Sequence, residues 1–266
     1  VGIAVLDEGE YRLMTGNETG AMLTEYILSQ MSEMCILPEN AIVIKSIVST
    51  PLIEEIARNY KASVVDLLTG FKYVGEYITA LENKGEKHRF VFAMEESYGY
   101  LSGTHARDKD AVTASMLICE MAAYYRTCGI SLIQARENMY KKYGVYKHSL
   151  KSFTCEGISG MERMKEIMTS LRSDTPESIG GLKVLEFSDY ITSTTKDIQT
   201  SQTKTIDLPK SDVLAFILEN NASVIIRPSG TEPKIKVYYT TTGKTSEDAN
   251  SAYEKIDSEF SKILGF

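Results

Sequence analysis

The stretch Val224-Ile225-Ile226-Arg227-Pro228-Ser229-Gly230-Thr231-Glu232-Pro233-Lys234-Ile235-Lys236-Val237 sets a fixed cation, two hydroxyls and a glycine between β-branched runs. Val224 to Arg227 reads as a buried strand entering a loop, and Ile235, Val237 and Tyr239 alternate with polar residues on the strand leaving it. The loop is therefore held at both ends. Arg227 can grip phosphate oxygens through parallel, charge-assisted hydrogen bonds. Ser229 and Thr231 can add hydroxyl donors, and Gly230 lets backbone N–H groups approach closely. Pro-Ser-Gly is also good turn chemistry, so an ordinary hairpin turn uses the same residues. Lys236 lies on the polar face of the second strand, the place of a simple solvent-facing lysine.

Around this hairpin, Leu182 to Phe187, Val213 to Leu218, Val224 to Arg227 and Ile235 to Thr240 read as strands. Met161, Met164, Ile167, Met168 and Leu171 form a helical stripe, and Ala252, Ile256, Phe260 and Ile263 a closing amphipathic helix. This is an α+β pattern with an antiparallel sheet. Tyr190, Ile191, Ile198 and Ile206 make the Thr/Ser-rich stretch a pair of exposed strands with a turn. The stretch from Gly144 to Lys151 is the candidate linker to whatever precedes.

Upstream, strands alternate with helices. Val1 to Leu6 and Tyr11 to Met14 form a hairpin, and Asn17 can cap a helix carrying Met22, Leu23, Tyr26, Ile27 and Met31. The strand Ala41 to Lys45 precedes a helix opened by Thr50 and Pro51. Val64 to Leu68 leads through Thr69-Gly70 into a helix ending near Asn83, and Arg89 to Met94 is a further strand. After the loop Glu95-Glu96-Ser97-Tyr98-Gly99, a helix runs from about Asp110 to Thr127, stopped by Gly129, and another from Ser131 to Tyr143. Such alternation indicates an α/β domain with loops leaving strand ends.

Met94-Glu95-Glu96-Ser97-Tyr98-Gly99, the segment His105-Ala106-Arg107-Asp108-Lys109-Asp110, the turn Thr69-Gly70-Phe71-Lys72 and the Arg227 loop stand in one order. In these motifs the chain resembles the α-D-phosphohexomutases, specifically the phosphoglucomutase branch, over nearly its whole length. The resemblance implies a remnant of domain two at 1–14, an α/β sugar-binding domain three at 15–146 and an α+β phosphate-binding domain four at 147–266. The phosphoserine loop and the aspartate-rich magnesium loop of the family are absent from this sequence. Together with Val1 in place of Met, this implies a truncated product that begins just after the magnesium loop and is inactive alone.

In that family a phosphoserine gives its phosphoryl group to a hexose monophosphate, the bisphosphate turns over, and the other phosphate returns to serine. The resemblance implies that Glu95 and Ser97 contact the sugar, with Thr69, Gly70 and Arg107 beside it; Glu96, since successive residues point in different directions, reads as structural or as a charge behind the contacting residues. Lys109 matches an active-site lysine, placed either to neutralise charge on the transferring phosphoryl group or to act near the reacting hydroxyl. His105 is a candidate acid or base, although a lone loop histidine also suits a polar surface. Some relatives have a histidine where this chain has Gly99, which leaves the acid/base assignment open. Thr69-Gly70 also suits a plain strand-to-helix connection, and Lys72 either enters the cleft or faces solvent. Arg227, Ser229, Gly230, Thr231 and Lys236 would bind phosphate.

The implied substrate is a hexose phosphate, with glucose 1-phosphate and glucose 6-phosphate interconverted. Mannose or pentose phosphates, or a phosphosugar-binding module without catalysis, are the alternatives. Mg2+ and glucose 1,6-bisphosphate would serve the full-length parent, and the N-terminal domains of that parent are the implied partner. No metal site is expected in this chain.

Composition bounds these readings. With 266 residues, 43% hydrophobic and 24% charged, the chain can bury a substantial core across two domains. A net charge of -7 disfavours nucleic-acid binding, so a phosphate site must be a local pocket of positive potential. Cys35, Cys119, Cys128 and Cys155 are scattered, without metal-ligand spacing, and read as reduced, mostly buried thiols. The sequence has no signal peptide and no apolar run of about 18 residues, which favours a cytoplasmic location without a membrane partner.

Overall fold

The chain opens with a tight hairpin, because Glu8 and Gly9 both take positive φ (50° and 88°), the twist a two-residue turn needs to join right-twisted strands. The computed structural model describes residues 1–155, 159–230 and 232–266 and divides into two units, Val1–Tyr143 and Gly144–Phe266. The hairpin strands are β1 (Ile3–Asp7) and β2 (Glu10–Met14).

Helix α1 (Gly16–Glu33) starts at Thr15, not at the expected Asn17. The Thr15 side chain accepts from the Glu18 N–H at 3.2 Å and the Glu18 carboxylate accepts from the Thr15 N–H at 2.8 Å, a reciprocal cap. Asn17 is buried instead, its Oδ1 accepting from the Thr50 N–H at 2.9 Å. There follow β3 (Ile42–Ser46), α2 (Leu52–Asn59), β4 (Ser63–Leu67), α3 (Phe71–Asn83), β5 (Phe90–Glu95), β6 (Gly99–Ser102), α4 (Ala111–Thr127) and α5 (Leu132–Tyr143).

The sheet order is β4-β3-β5-β6, with β4, β3 and β5 parallel and β6 antiparallel to β5. Every residue of β3 is buried, as expected where helices cover both faces of a parallel sheet. Buried Lys45 joins Asp66 at 2.7 Å and Glu54 at 3.1 Å, tying β4 and α2 to the central strand. Burial works against the Lys45 charge, but Asp66 and Glu54 outweigh it and hold its pKa above the ordinary lysine value. The turns after β3, β4 and β5 all leave the carboxyl ends of parallel strands, where open α/β sheets bind ligands.

The second unit is a mostly antiparallel sheet with helices on one face. Its elements are β7 (Val145–Thr154), α6 (Gly160–Ser173), β8 (Ser178–Ile179), β9 (Leu182–Asp189), β10 (Thr194–Asp197), β11 (Thr203–Thr205), β12 (Leu214–Leu218), β13 (Ser223–Pro228), β14 (Lys234–Gly243) and α7 (Ser246–Ile263). The order is β11-β10-β9-β12-β13-β14-β7, with β8 paired to β9. Val224, Ile226, Val237 and Tyr239 on one side of the strands pack with Met164, Met168, Ile256 and Phe260 into one core.

Two further expectations are corrected. The stretch 144–151 is not a linker, since Val145–Thr154 pairs along its length with β14. Cys35, Cys119 and Cys128 are exposed, and Cys155 alone of the four is buried. Helix α4 presents its outer face at 119 and is capped by Cys128, whereas Cys155, just after the edge strand β7, packs into the core beneath the sheet. No helix among the described residues is long and apolar enough to cross a membrane.

Candidate active-site loops

Glu95, the last residue of β5, is only 7% exposed yet has a carboxyl group to satisfy, so its partners decide what it does. One oxygen accepts from the Gly70 N–H at 2.5 Å, and the other stands 3.9 Å from the Lys109 ammonium. Gly70 has φ +121° and ψ +118°, a conformation closed to residues with a Cβ, and it lets the chain turn from β4 directly into α3. Thr69 and Gly70 are thereby drawn to the end of β5.

Lys109 comes from the segment before α4. Its ammonium lies 3.0 Å from Asp108 and 4.8 Å from the centre of the Phe71 ring. The Asp108 carboxyl is held below its ordinary pKa by hydrogen bonds from the Lys109 N–H and side chain. Gly99 pairs directly with Glu95 across β5 and β6, and a Cβ on Gly99 would lie 2.5 Å from Lys109 Cδ. Glu95, Gly70 and Lys109 are thus brought to one place by four segments.

Ser97 lies exposed at the tip of the β5–β6 turn, followed by Tyr98 at φ +65°. Glu96 turns the other way. Its carboxylate accepts from Ser46 at 3.1 Å and Ser49 at 3.4 Å, and its N–H donates to the Ser49 hydroxyl at 3.1 Å. The loop is therefore anchored to the turn after β3 as well as to its own strands. Lys72 is exposed, with its ammonium 4.7 Å from the Tyr73 ring centre.

His105 and Arg107 are engaged by their own neighbourhood. His105 Nε2 is 2.7 Å from Asp110 Oδ2. Asp110 also caps α4, accepting from the Val112 and Thr113 N–H groups and from the Thr113 hydroxyl. The Thr113 hydroxyl first, then His105 and the Thr113 N–H, hold the Asp110 carboxyl far below the ordinary carboxylate range. The Arg107 guanidinium donates to the Thr104 carbonyl at 2.6 Å and pairs with Glu82, bracing this loop onto α3.

In the second unit, the Arg227 loop joins β13 to β14. Arg227 stands directly opposite Lys236, and Lys236 directly opposite Ser152 of β7. Directly paired residues share a sheet face, so guanidinium, ammonium and hydroxyl form one row. Inside the loop the Ser229 N–H donates to the Lys234 carbonyl at 2.7 Å and the Ser229 hydroxyl accepts from the Glu232 N–H at 3.3 Å. The Pro233 carbonyl accepts from the Cys155 N–H at 2.8 Å.

Among the described residues a Cβ on Gly230 would meet nothing within 4 Å, and its φ is not in the left-handed region. The fold itself therefore gives no reason for glycine at 230. Thr231 lies outside the described residues. Among the described residues no group of three or more His, Cys, Asp or Glu side chains could hold a metal ion.

Phe71, Gly99, Asp110 and Ser152 were not singled out by sequence reasoning as site residues. Asp110 belongs to the motif containing His105, and its capping position was readable. Ser152 depends on strand register, which no local signal carries.

The description "Phosphoglucomutase/phosphomannomutase, alpha/beta/alpha domain III" matches residues 15–143, and the C-terminal domain of the same family matches residues 191–255. The chain belongs to the phosphoglucomutase/phosphomannomutase family. A phosphoglucomutase of Staphylococcus aureus is 38% identical over 239 residues, which is 90% of this chain and 42% of that protein. The chain thus spans about two-fifths of the length of this curated relative. The Paramecium phosphoprotein parafusin, a phosphoglucomutase solved in its open form, matches with TM-score 0.67 at 16% identity over 98% of this chain and 43% of its own. A phosphoglucomutase/phosphomannomutase family protein of Burkholderia thailandensis matches with TM-score 0.55 at 13% identity over 98% of this chain and 44% of its own. At these identities the structural likeness concerns the fold. In this phosphoglucomutase/phosphomannomutase chain, the domain III match contains Thr69, Gly70, Glu95, Ser97, His105, Arg107 and Lys109, and the C-terminal match contains the Arg227 loop.

Proposed function

We propose that this chain is the sugar- and phosphate-binding part of a cytoplasmic phosphoglucomutase that interconverts glucose 1-phosphate and glucose 6-phosphate. The observation that carries the phosphate half is the Arg227–Lys236 pair on one sheet face, beside a glycine the fold does not require. The 38% identity to a phosphoglucomutase favours glucose phosphates among hexose phosphates. Arg227 would take phosphate oxygens as a bidentate donor, with Ser229, Gly230, Thr231 and Lys236 completing the set. Glu95 and Ser97 would exchange hydrogen bonds with ring hydroxyls, with Thr69, Gly70 and Arg107 shaping that side. Lys109 would neutralise charge on the transferring phosphoryl group, and His105 would act near the reacting hydroxyl.

The phosphoserine that donates and regains the phosphoryl group would come from other domains of the full-length protein. Magnesium and glucose 1,6-bisphosphate would serve that protein. In a coupled assay with glucose-6-phosphate dehydrogenase, the purified chain with magnesium and hexose bisphosphate should give no turnover. The full-length protein should convert glucose 1-phosphate faster than mannose 1-phosphate or ribose 1-phosphate. Faster turnover of either alternative would replace the assigned substrate, and no turnover of any would leave a phosphosugar-binding module.

A further inference from the structure

Four observations converge on the Lys109 side chain. Its ammonium sits 4.8 Å from the centre of the Phe71 ring, and Phe71 is 2% exposed, so the ring is fixed. Phe71 is the first residue of α3, directly after Gly70, whose N–H is held by Glu95. The Lys109 stem crosses Gly99 so closely that a Cβ there would lie 2.5 Å from Cδ and 2.9 Å from Cγ. The Gly99 backbone is not in the left-handed region, so glycine at this position makes space rather than permitting a turn.

We propose that Phe71 and Gly99 are positioning residues for Lys109: the aromatic face supports the ammonium from one side and the missing side chain at 99 leaves the channel for its stem. The pair with Asp108 at 3.0 Å is a solvent-exposed one that restrains the ammonium weakly, so a lysine that is 46% exposed and carries several rotatable bonds would otherwise sample many positions. The ring face attracts the cation electrostatically and cannot withdraw its proton, unlike a carboxylate partner. Lys109 is thereby held beside Glu95 with its charge available to a phosphoryl group. This rests on the site reading proposed above, in which Lys109 meets the sugar phosphate.

The test uses Phe71→Leu, which keeps an apolar side chain but removes the ring, Phe71→Tyr, which restores it, and Gly99→Ala. Each is compared with wild type and Lys109→Met by titration calorimetry with glucose 1-phosphate and by NMR of the Lys109 side-chain methylenes. In the wild type these methylenes should be shifted upfield by the ring current. Phe71→Leu and Gly99→Ala should abolish the shift and weaken binding about 3- to 10-fold, and Phe71→Tyr should restore both. Neither loss should add to that of Lys109→Met, since all act through one ammonium. Gly99→Ala, whose added methyl meets a flexible stem and not backbone, should keep the wild-type melting temperature even if Phe71→Leu does not fold. Unshifted methylenes in the wild type, or full losses persisting in the Lys109→Met background, would overturn the positioning role alone. Shifted methylenes in a wild-type chain that binds no glucose 1-phosphate would overturn the site reading, and the role that rests on it.

Discussion

Replacing Gly230 by alanine should separate the needs of the fold from those of the ligand. Among the described residues the new Cβ meets nothing within 4 Å, and the backbone there has no positive φ, so alanine fits the native conformation. Such a substitution restricts the unfolded chain and stabilises by about 0.4–1 kcal/mol. For a unit of this size that raises the melting temperature by about 1–4 °C. Phosphate binding should move the other way. A methyl group at the approach to the loop backbone keeps at least one N–H from the anion, and hydrogen bonds to a charged group contribute about 1.5–3 kcal/mol. Affinity for inorganic phosphate should fall about 10- to 100-fold. Differential scanning calorimetry and titration of phosphate into wild type and Gly230→Ala measure both quantities. A variant that melts lower than wild type would mean the turn itself needs glycine. One that binds phosphate undiminished would mean that no ligand approaches the loop at 230.

Further outcomes follow from the same geometry. Arg227→Ala should weaken phosphosugar binding by about 1.5–3 kcal/mol and Lys236→Ala by less, since only the guanidinium offers a two-pronged contact; equal losses by calorimetry would contradict that reading. Glu95→Gln removes the charge opposite Lys109 without changing side-chain size, so kcat/KM for glucose 1-phosphate in the full-length protein should drop while inhibition by inorganic phosphate stays. Matching losses in both would make Glu95 a support of the fold. The depressed Asp110 carboxyl gives stability that is complete above its ordinary value of 3.8 and is lost as pH falls through its lower folded value. The melting-temperature gap between wild type and Asp110→Asn should therefore be constant near neutrality and close below pH 3.8, and a gap that widens in acid would refute the capping assignment.

The parts of the fold set by local chemistry could be read from the residues alone. Alternating apolar runs marked β13 and β14, Gly129 marked the end of α4, and Thr69-Gly70 marked a strand-to-helix turn. The cap of α1 was misplaced by two residues because Thr15 and Asn17 are both good caps, and only the reciprocal bond to Glu18 decides between them. Longer-range relations had no local mark. Gly144 to Lys151 looks like a linker until β14 supplies backbone partners for Val145–Thr154, and Ser152 joins the Arg227–Lys236 row only through that register. Exposure of Cys119 depends on which face of α4 turns outward. At the candidate site the motif residues were visible as types, but the burial of Glu95, its bond to Gly70 and the seating of Lys109 on Phe71 arise from three segments separate in sequence.

The central claim is that this chain holds a sugar phosphate through the Arg227 loop. Titration of glucose 1-phosphate into the 266-residue chain, with inorganic phosphate as competitor and Arg227→Ala as control, tests it most directly. Saturable binding that phosphate displaces and Arg227→Ala loses is the predicted result. A folded wild-type chain that binds neither ligand, or an Arg227→Ala chain that binds both as well as wild type, would contradict the account.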